Sequence, residues 1–185
     1  MKERAMKRWS SIPIVLLTSV SLIGLTGCEE PRVEAAVFEN LAQCLDDTNM
    51  SRGECEQNYK EAQSQHAAVA PKYTSQADCQ ADFGAGKCEE APYRTSSGGS
   101  VFMPLMMGYM MGSMIGGRRS MMSQPLYRSA KNPTVFRTAN NRNVGASTGR
   151  TQVAKSATSR PTFKSSTIKR GGFGASARRF GSAAT

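Results

Sequence analysis

Apolar positions fall into three blocks along the 185-residue chain, each with its own rhythm. The first, residues 12–25, is apolar almost throughout, with Ser and Thr interspersed. It is shorter than the roughly 20 residues a bilayer-spanning helix needs. The second block is sparse. Cys55, Tyr59, Ala62 and His66 recur at helical spacing, which predicts one buried face of a helix over 52–69, stopped by Pro71. The third block is VFMPLMMGYMMGSMIGG at 101–117. Here Met103, Met106, Met107, Met110, Met111 and Met114 recur at i, i+3, i+4, i+7, i+8 and i+11. On a helix these positions share an arc of about 140°. Gly108, Gly112 and Gly116 lie on the opposite side at i, i+4 and i+8. The period predicts an apolar helix starting near residue 102, so that Pro104 falls in its first turn. A glycine ridge would let a second helix approach for self-association or partner docking, and a methionine face would give an adaptable apolar surface. A plain hydrophobic segment covering a core is the competing reading. Residues 118–185 show no sustained apolar period and are rich in Ser, Thr, Ala, Gly and Arg, which predicts a disordered tail.

Charge sharpens these divisions. Residues 1–27 carry a net +3, 28–100 a net −7, 101–117 no charge, and 118–185 a net +14 without one acid, within an overall +10. An acidic core is followed by a basic tail.

The first block reads as an export signal. Lys2, Arg4, Lys7 and Arg8 precede it, and it ends in Leu25-Thr26-Gly27-Cys28. This matches the bacterial lipoprotein signal peptide, with cleavage between Gly27 and Cys28 and lipid attachment to the Cys28 thiol. Acyl chains on Cys28 would hold the chain to a membrane. Glu29, rather than Asp, follows the cysteine, which by the sorting rule of enteric lipoproteins implies the outer membrane, facing the periplasm.

Four cysteines then remain, an even number in an exported chain: Cys44, Cys55, Cys79 and Cys88. They read as two disulfides, with three possible connectivities. They sit in a repeat. Phe38-Glu39-Asn40-Leu41-Ala42-Gln43-Cys44 leads to Cys55-Glu56, and Tyr73-Thr74-Ser75-Gln76-Ala77-Asp78-Cys79 leads to Cys88-Glu89. Ser75 with Asp78, and more loosely Asn40 with Gln43, resemble helix N-caps and their N3 partners. Each unit is expected to be a short helix, a turn marked by Gly53 or by Gly84 and Gly86, and a return to the second cysteine. Pairing within each unit is preferred, Cys44 to Cys55 and Cys79 to Cys88. The expected architecture is a small α-rich disulfide-stapled core at 28–100, a Met/Gly-rich apolar helix at 101–117 and a long disordered basic tail at 118–185, behind a signal peptide at 1–27. A core of about seventy residues needs such staples.

Little points to catalysis. The chain has one histidine, His66, and lacks HExxH, G-x-S-x-G, P-loop and dinucleotide fingerprints. His66 reads as a packing or solvated residue, and the pairs Asp46-Asp47 and Glu89-Glu90 as solvated surface. A Cys₄ zinc site is disfavoured because neither pair forms a Cys-x₂₋₄-Cys knuckle. Thioether binding of copper by the methionine stripe is a weaker alternative, so no cofactor or metal is expected. Lys169-Arg170-Gly171-Gly172-Phe173-Gly174 looks like an RNA-binding RGG element, but export argues against nucleic acid. Anionic lipid, lipopolysaccharide or an envelope protein is the expected partner of the basic tail. A structural or adaptor role, rather than an enzyme, is the leading functional expectation.

Several separated motifs resemble the YgiB-type family of small bacterial lipoproteins of unknown function. They include Ala70-Pro71-Lys72-Tyr73, the unit Cys79-x₃-Phe83-Gly84-x-Gly86-x-Cys88, and Met103-Pro104-Leu105-Met106-x-Gly108-Tyr109-Met110-Met111-Gly112. Gln124-Pro125-Leu126-Tyr127, Lys131-Asn132-Pro133 and Arg170-Gly171-Gly172-Phe173-Gly174 extend the likeness. The resemblance implies an envelope process and supplies no catalytic residues. Genes of this family often neighbour one for a glutathionylspermidine-synthase-like ATP-grasp protein.

Overall fold

The computed structural model describes residues 30–95, 97–112 and 122–161. These residues build a mostly β structure, which overturns the α-rich expectation. Strand β1 (Arg32–Phe38) is followed by helices α1 (Leu41–Leu45), α2 (Arg52–Val69) and α3 (Gln76–Phe83). Strands β2 (Cys88–Arg94) and β3 (Ser100–Pro104) form a separate hairpin. Then come β4 (Gly108–Gly112), β5 (Met122–Ser129), β6 (Asn132–Thr138), β7 (Asn143–Gly145) and β8 (Gly149–Ala154), and a 3₁₀ turn at Lys155–Thr158.

Six strands make one antiparallel sheet in the order β7-β6-β5-β4-β1-β8. Its edge strands β7 and β8 follow one another in the chain and lie against each other, so the sheet curls almost into a barrel. Every strand sends side chains to the inside: Ala35 and Val37, Met110, Leu126, Phe136, Val144 and Val153 form one buried cluster, closed by Ala157 of the 3₁₀ turn. Gln124 also points inward and donates to the Ala157 carbonyl at 2.7 Å. At the other mouth Arg128 lies 4.0 Å above the Phe136 ring and donates to Glu39 at 2.6 Å.

Outside, α1 and α2 cover β1 and β4 through Phe38, Cys44, Cys55, Ala62, Tyr109 and Met111. Helix α3 and the β2–β3 hairpin pack with Tyr127 of β5 in a third cluster. Helix α2 matches the expected span. Ser51 caps it in a reciprocal box with Glu54, and Cys55, Asn58, Ala62, His66 and Val69 are its buried residues. Asn40 and Ser75 cap α1 and α3 by accepting from the backbone N–H of Gln43 and Asp78. The two cysteine units diverge after their first helices. Cys55 returns within α2, whose first turn includes Gly53, whereas Cys88 opens strand β2.

The methionine–glycine helix does not form. Residues 101–104 and 108–112 belong to β3 and β4, and all five residues of β4 are buried. A strand covered on both faces reads as an unbroken apolar run, and such a run is ambiguous between helix and strand. Met103, Met110 and Met111 enter three different clusters, with Met106 packed beside Met111, so the stripe does not form one face. The disordered tail is likewise corrected over 122–158, which supplies β5–β8 and the 3₁₀ turn.

Candidate functional site

A cleft of about 350 Å³ opens on the outer face of the sheet where the helices stop covering it. Strand register builds its base. Ala36 of β1 lies opposite Arg150 of β8 and Met111 of β4, and Glu34 lies opposite Gln152. Directly opposed residues share a face, so Glu34, Ala36, Met111, Arg150 and Gln152 all point to the cleft. The facing wall comes from Asn49, Met50 and Glu54. These three lie within the loop closed by the Cys44–Cys55 disulfide, whose cysteines are fully buried. The floor is thus apolar, from Ala36 and Met111, while the rim carries both charge signs. Glu34 and Arg150 form no ion pair with each other within 4.0 Å. Arg150 also acts on Asp47, whose carboxylate accepts from the backbone and side chain of Asn49 and is held below its ordinary pKa chiefly by those bonds.

A second polar group is buried under α2. His66 Nδ1 lies 3.0 Å from the Tyr127 hydroxyl, and its Nε2 lies 3.5 Å from Glu89, at the outer limit of hydrogen bonding. Burial lowers the His66 pKa, and the Glu89 carboxylate opposes this more weakly. Burial pushes the Tyr127 hydroxyl well up. The neutral tautomer that suits both neighbours has N–H at Nε2 facing Glu89, with the Tyr127 hydroxyl donating to Nδ1. Neither residue lines the cleft, and the arrangement ties α2 to β5 and β2.

A third feature is the charge at one end of the curled sheet. Strand directions put the start of β1, the β6–β7 turn and the end of β8 together. Exposed Arg32, Arg142, Lys155 and Arg160 occur there, together with the acid Glu30. Glu30 accepts from the Ser156 side chain and backbone, which lower its pKa, and Arg142 adds a smaller pull the same way. The Lys155 backbone N–H donates to Pro31 at 2.8 Å and fastens the first described residues to this end.

Among the residues singled out in the sequence, Cys44 pairs with Cys55 and Cys79 with Cys88, so both disulfides close within their units. Gly108 and Gly112 lie in β4, between β1 and β5, and not on a helical ridge. Gly27, Cys28, Gly116 and the 169–174 element lie outside the described residues. Sequence reasoning missed Glu34, Arg150 and Tyr127. Only the strand register, which pairs distant segments, could have joined the first two. No helix among the described residues is long and apolar enough to cross a membrane.

Fold and site together define a disulfide-stapled antiparallel β protein, with helices on one side of a curled sheet and a cleft at the edge of that cover. A family model described as "Protein of unknown function (DUF1190)" matches residues 32–183, and the chain belongs to this YgiB-like family. A UPF0441 protein of Erwinia tasmaniensis is 37% identical over 92% of this chain and 84% of its own length. Another UPF0441 protein, of Pectobacterium atrosepticum, is 34% identical over 94% and 85%. No solved structure matches the chain.

Proposed function

We propose that this protein is a lipid-anchored adaptor of the bacterial cell envelope, without catalytic activity, cut after Gly27 and acylated on Cys28. It faces the periplasm, and its basic end rests on the anionic surface of its membrane, which Glu29 marks as the outer one. The relationship that carries this reading is between the anchor position and the sheet. Cys28 precedes Glu30 by two residues, a reach of at most about 7 Å between Cα atoms. Glu30 and Pro31 are fastened to the sheet end that carries Arg32, Arg142, Lys155 and Arg160. An acyl anchor there would bring those cations to the headgroups, where each contributes about 1 kcal/mol near an anionic surface. Over 122–158 the basic residues of the C-terminal segment are presented by a folded surface.

The test separates anchor from surface. Fatty-acid labelling should follow Cys28 and vanish in Cys28→Ala; continued labelling would end the lipoprotein reading. The unlipidated full chain should sediment with phosphatidylglycerol vesicles at low salt and be released at high salt. Replacing Arg142, Lys155 and Arg160 with Gln should weaken that binding about 100-fold. Unchanged binding in the triple variant would overturn the orientation, and leave the anchor to the labelling result.

A further inference from the structure

The cleft beside the Cys44–Cys55 loop is used neither by the anchor nor by the basic end. We propose that it is a binding site for a small zwitterion with an apolar side chain, of the class of α-amino acids and dipeptides. Three observations converge on that chemistry. The first is charge placement. Glu34 and Arg150 are diagonal neighbours across the β1–β8 pair, on the same face, at the rim of the same cleft. Diagonal positions of this kind stand about 7–8 Å apart at Cα, and these two side chains do not close the gap as an ion pair. A ligand bearing an ammonium and a carboxylate bridges them, with Glu34 accepting from the ammonium and Arg150 donating to the carboxylate.

The second is the floor. Ala36 and Met111 present an apolar surface beside the two charges, which Met50 of the wall extends, and thioether side chains adapt to varied shapes. A volume of about 350 Å³ lies at the small end of ligand sites, which suits a compact molecule rather than a chain segment. The third is the wall. Asn49, Met50 and Glu54 are held by a buried disulfide and by the capping box at the start of α2. A wall set before binding reduces the ordering cost on association.

Calorimetric titration of the full chain with leucine, methionine and phenylalanine, each alone, tests this, with amide shifts at Ala36 and Arg150 locating the contact. Saturable binding is expected for at least one of them. For that amino acid, the amide lacking the carboxylate and the N-acetyl derivative lacking the ammonium should each bind about tenfold more weakly or less well still. Arg150→Gln should weaken the amino acid about tenfold and leave its amide unaffected, while Glu34→Gln should weaken the amino acid about tenfold and leave its N-acetyl form unaffected. Unchanged melting of both variants confirms that they fold. No saturation by any of the three, or equal binding of amino acid, amide and N-acetyl derivative, would overturn the proposal. Vesicle binding plays no part in this readout, so its failure leaves the membrane orientation standing.

Discussion

The Tyr127 hydroxyl lies 3.0 Å from His66 Nδ1, joining the longest helix to a strand 61 residues further along the chain. Tyr127 is fully buried and His66 nearly so. Phe83 meets the Tyr127 ring edge-on at 6.2 Å, so α3 converges on the same point. The chain's one histidine is therefore a joint between the acidic helical segment and the basic β segment.

This joint makes stability depend on pH. Burial holds the His66 pKa below its ordinary 6.5 in the folded protein. The unfolded chain thus binds more protons over the interval beneath 6.5, and stability rises with pH there. The contribution is full above about 6.5 and is lost as pH falls through the folded pKa. Melting followed by circular dichroism should show a lower Tm at about pH 5.5 than at about pH 7.5. His66→Gln should lower the Tm at the higher pH and flatten the dependence; an unaltered slope in the variant would rule out His66 as its source.

Glycines 108 and 112 should respond differently to alanine. A Cβ on Gly108 would stand 2.8 Å from the Phe38 carbonyl oxygen and 3.0 Å from the Phe136 ring, so the β1 backbone must move. On Gly112 it would meet only Thr158 side-chain carbons at 3.6 and 3.7 Å, which is ordinary contact. Gly108→Ala should cost about 1–3 kcal/mol by overpacking, and Gly112→Ala close to nothing. Denaturant unfolding of the two variants checks this. Equal costs would argue for the helical ridge that the i, i+4 spacing evokes.

Truncation distinguishes a tail from a fold. Ending the chain at residue 117 removes β5–β8, and with them Leu126, Phe136, Val144 and Val153 from the inside cluster and Tyr127 from the outside. Cooperative unfolding should disappear in that variant. Ending it at 161 keeps every described element, and a sharp transition should persist. A cooperative transition in the 1–117 chain would show that the helical segment folds by itself.

What the sequence revealed was local, and what it hid was long-range. Asn40 and Ser75 announced their helix starts, the spacing from Cys55 to His66 announced α2, and Cys44 and Cys79 stood near their partners. In β4, adjacent Met110 and Met111 face opposite sides, each into a covered core, and this erases the alternation that marks a strand. In β5–β8 the apolar positions are few, and polar Gln124 takes one inside place, so the two-residue period stays faint. Glu34 and Arg150 stand far apart in the chain. Their shared face exists only after β8 pairs with β1.

The two disulfides should stabilise similarly but guard different regions. They close loops of similar length, with sequence separations of 11 and 9. Loop entropy gives each roughly 2–3 kcal/mol, a Tm difference on the order of 10 °C. Location decides the local effect. Cys44 and Cys55 pack with Phe38, Tyr109 and Met111, and their loop forms the cleft wall. Cys79 and Cys88 pack with Tyr73, Phe83 and Tyr127, and tie α3 to the β2–β3 hairpin. Replacing Cys44 and Cys55 with Ala should speed amide exchange in α1, at Asn49 and Met50 and in the first turn of α2, with β2 and β3 unaffected. Replacing Cys79 and Cys88 with Ala should speed exchange in α3 and β2 and leave Asn49 and Met50 protected as before. Uniform acceleration in both variants would show that the disulfides act only on global unfolding, because locally anchored loops cannot give the same exchange map from opposite ends of α2.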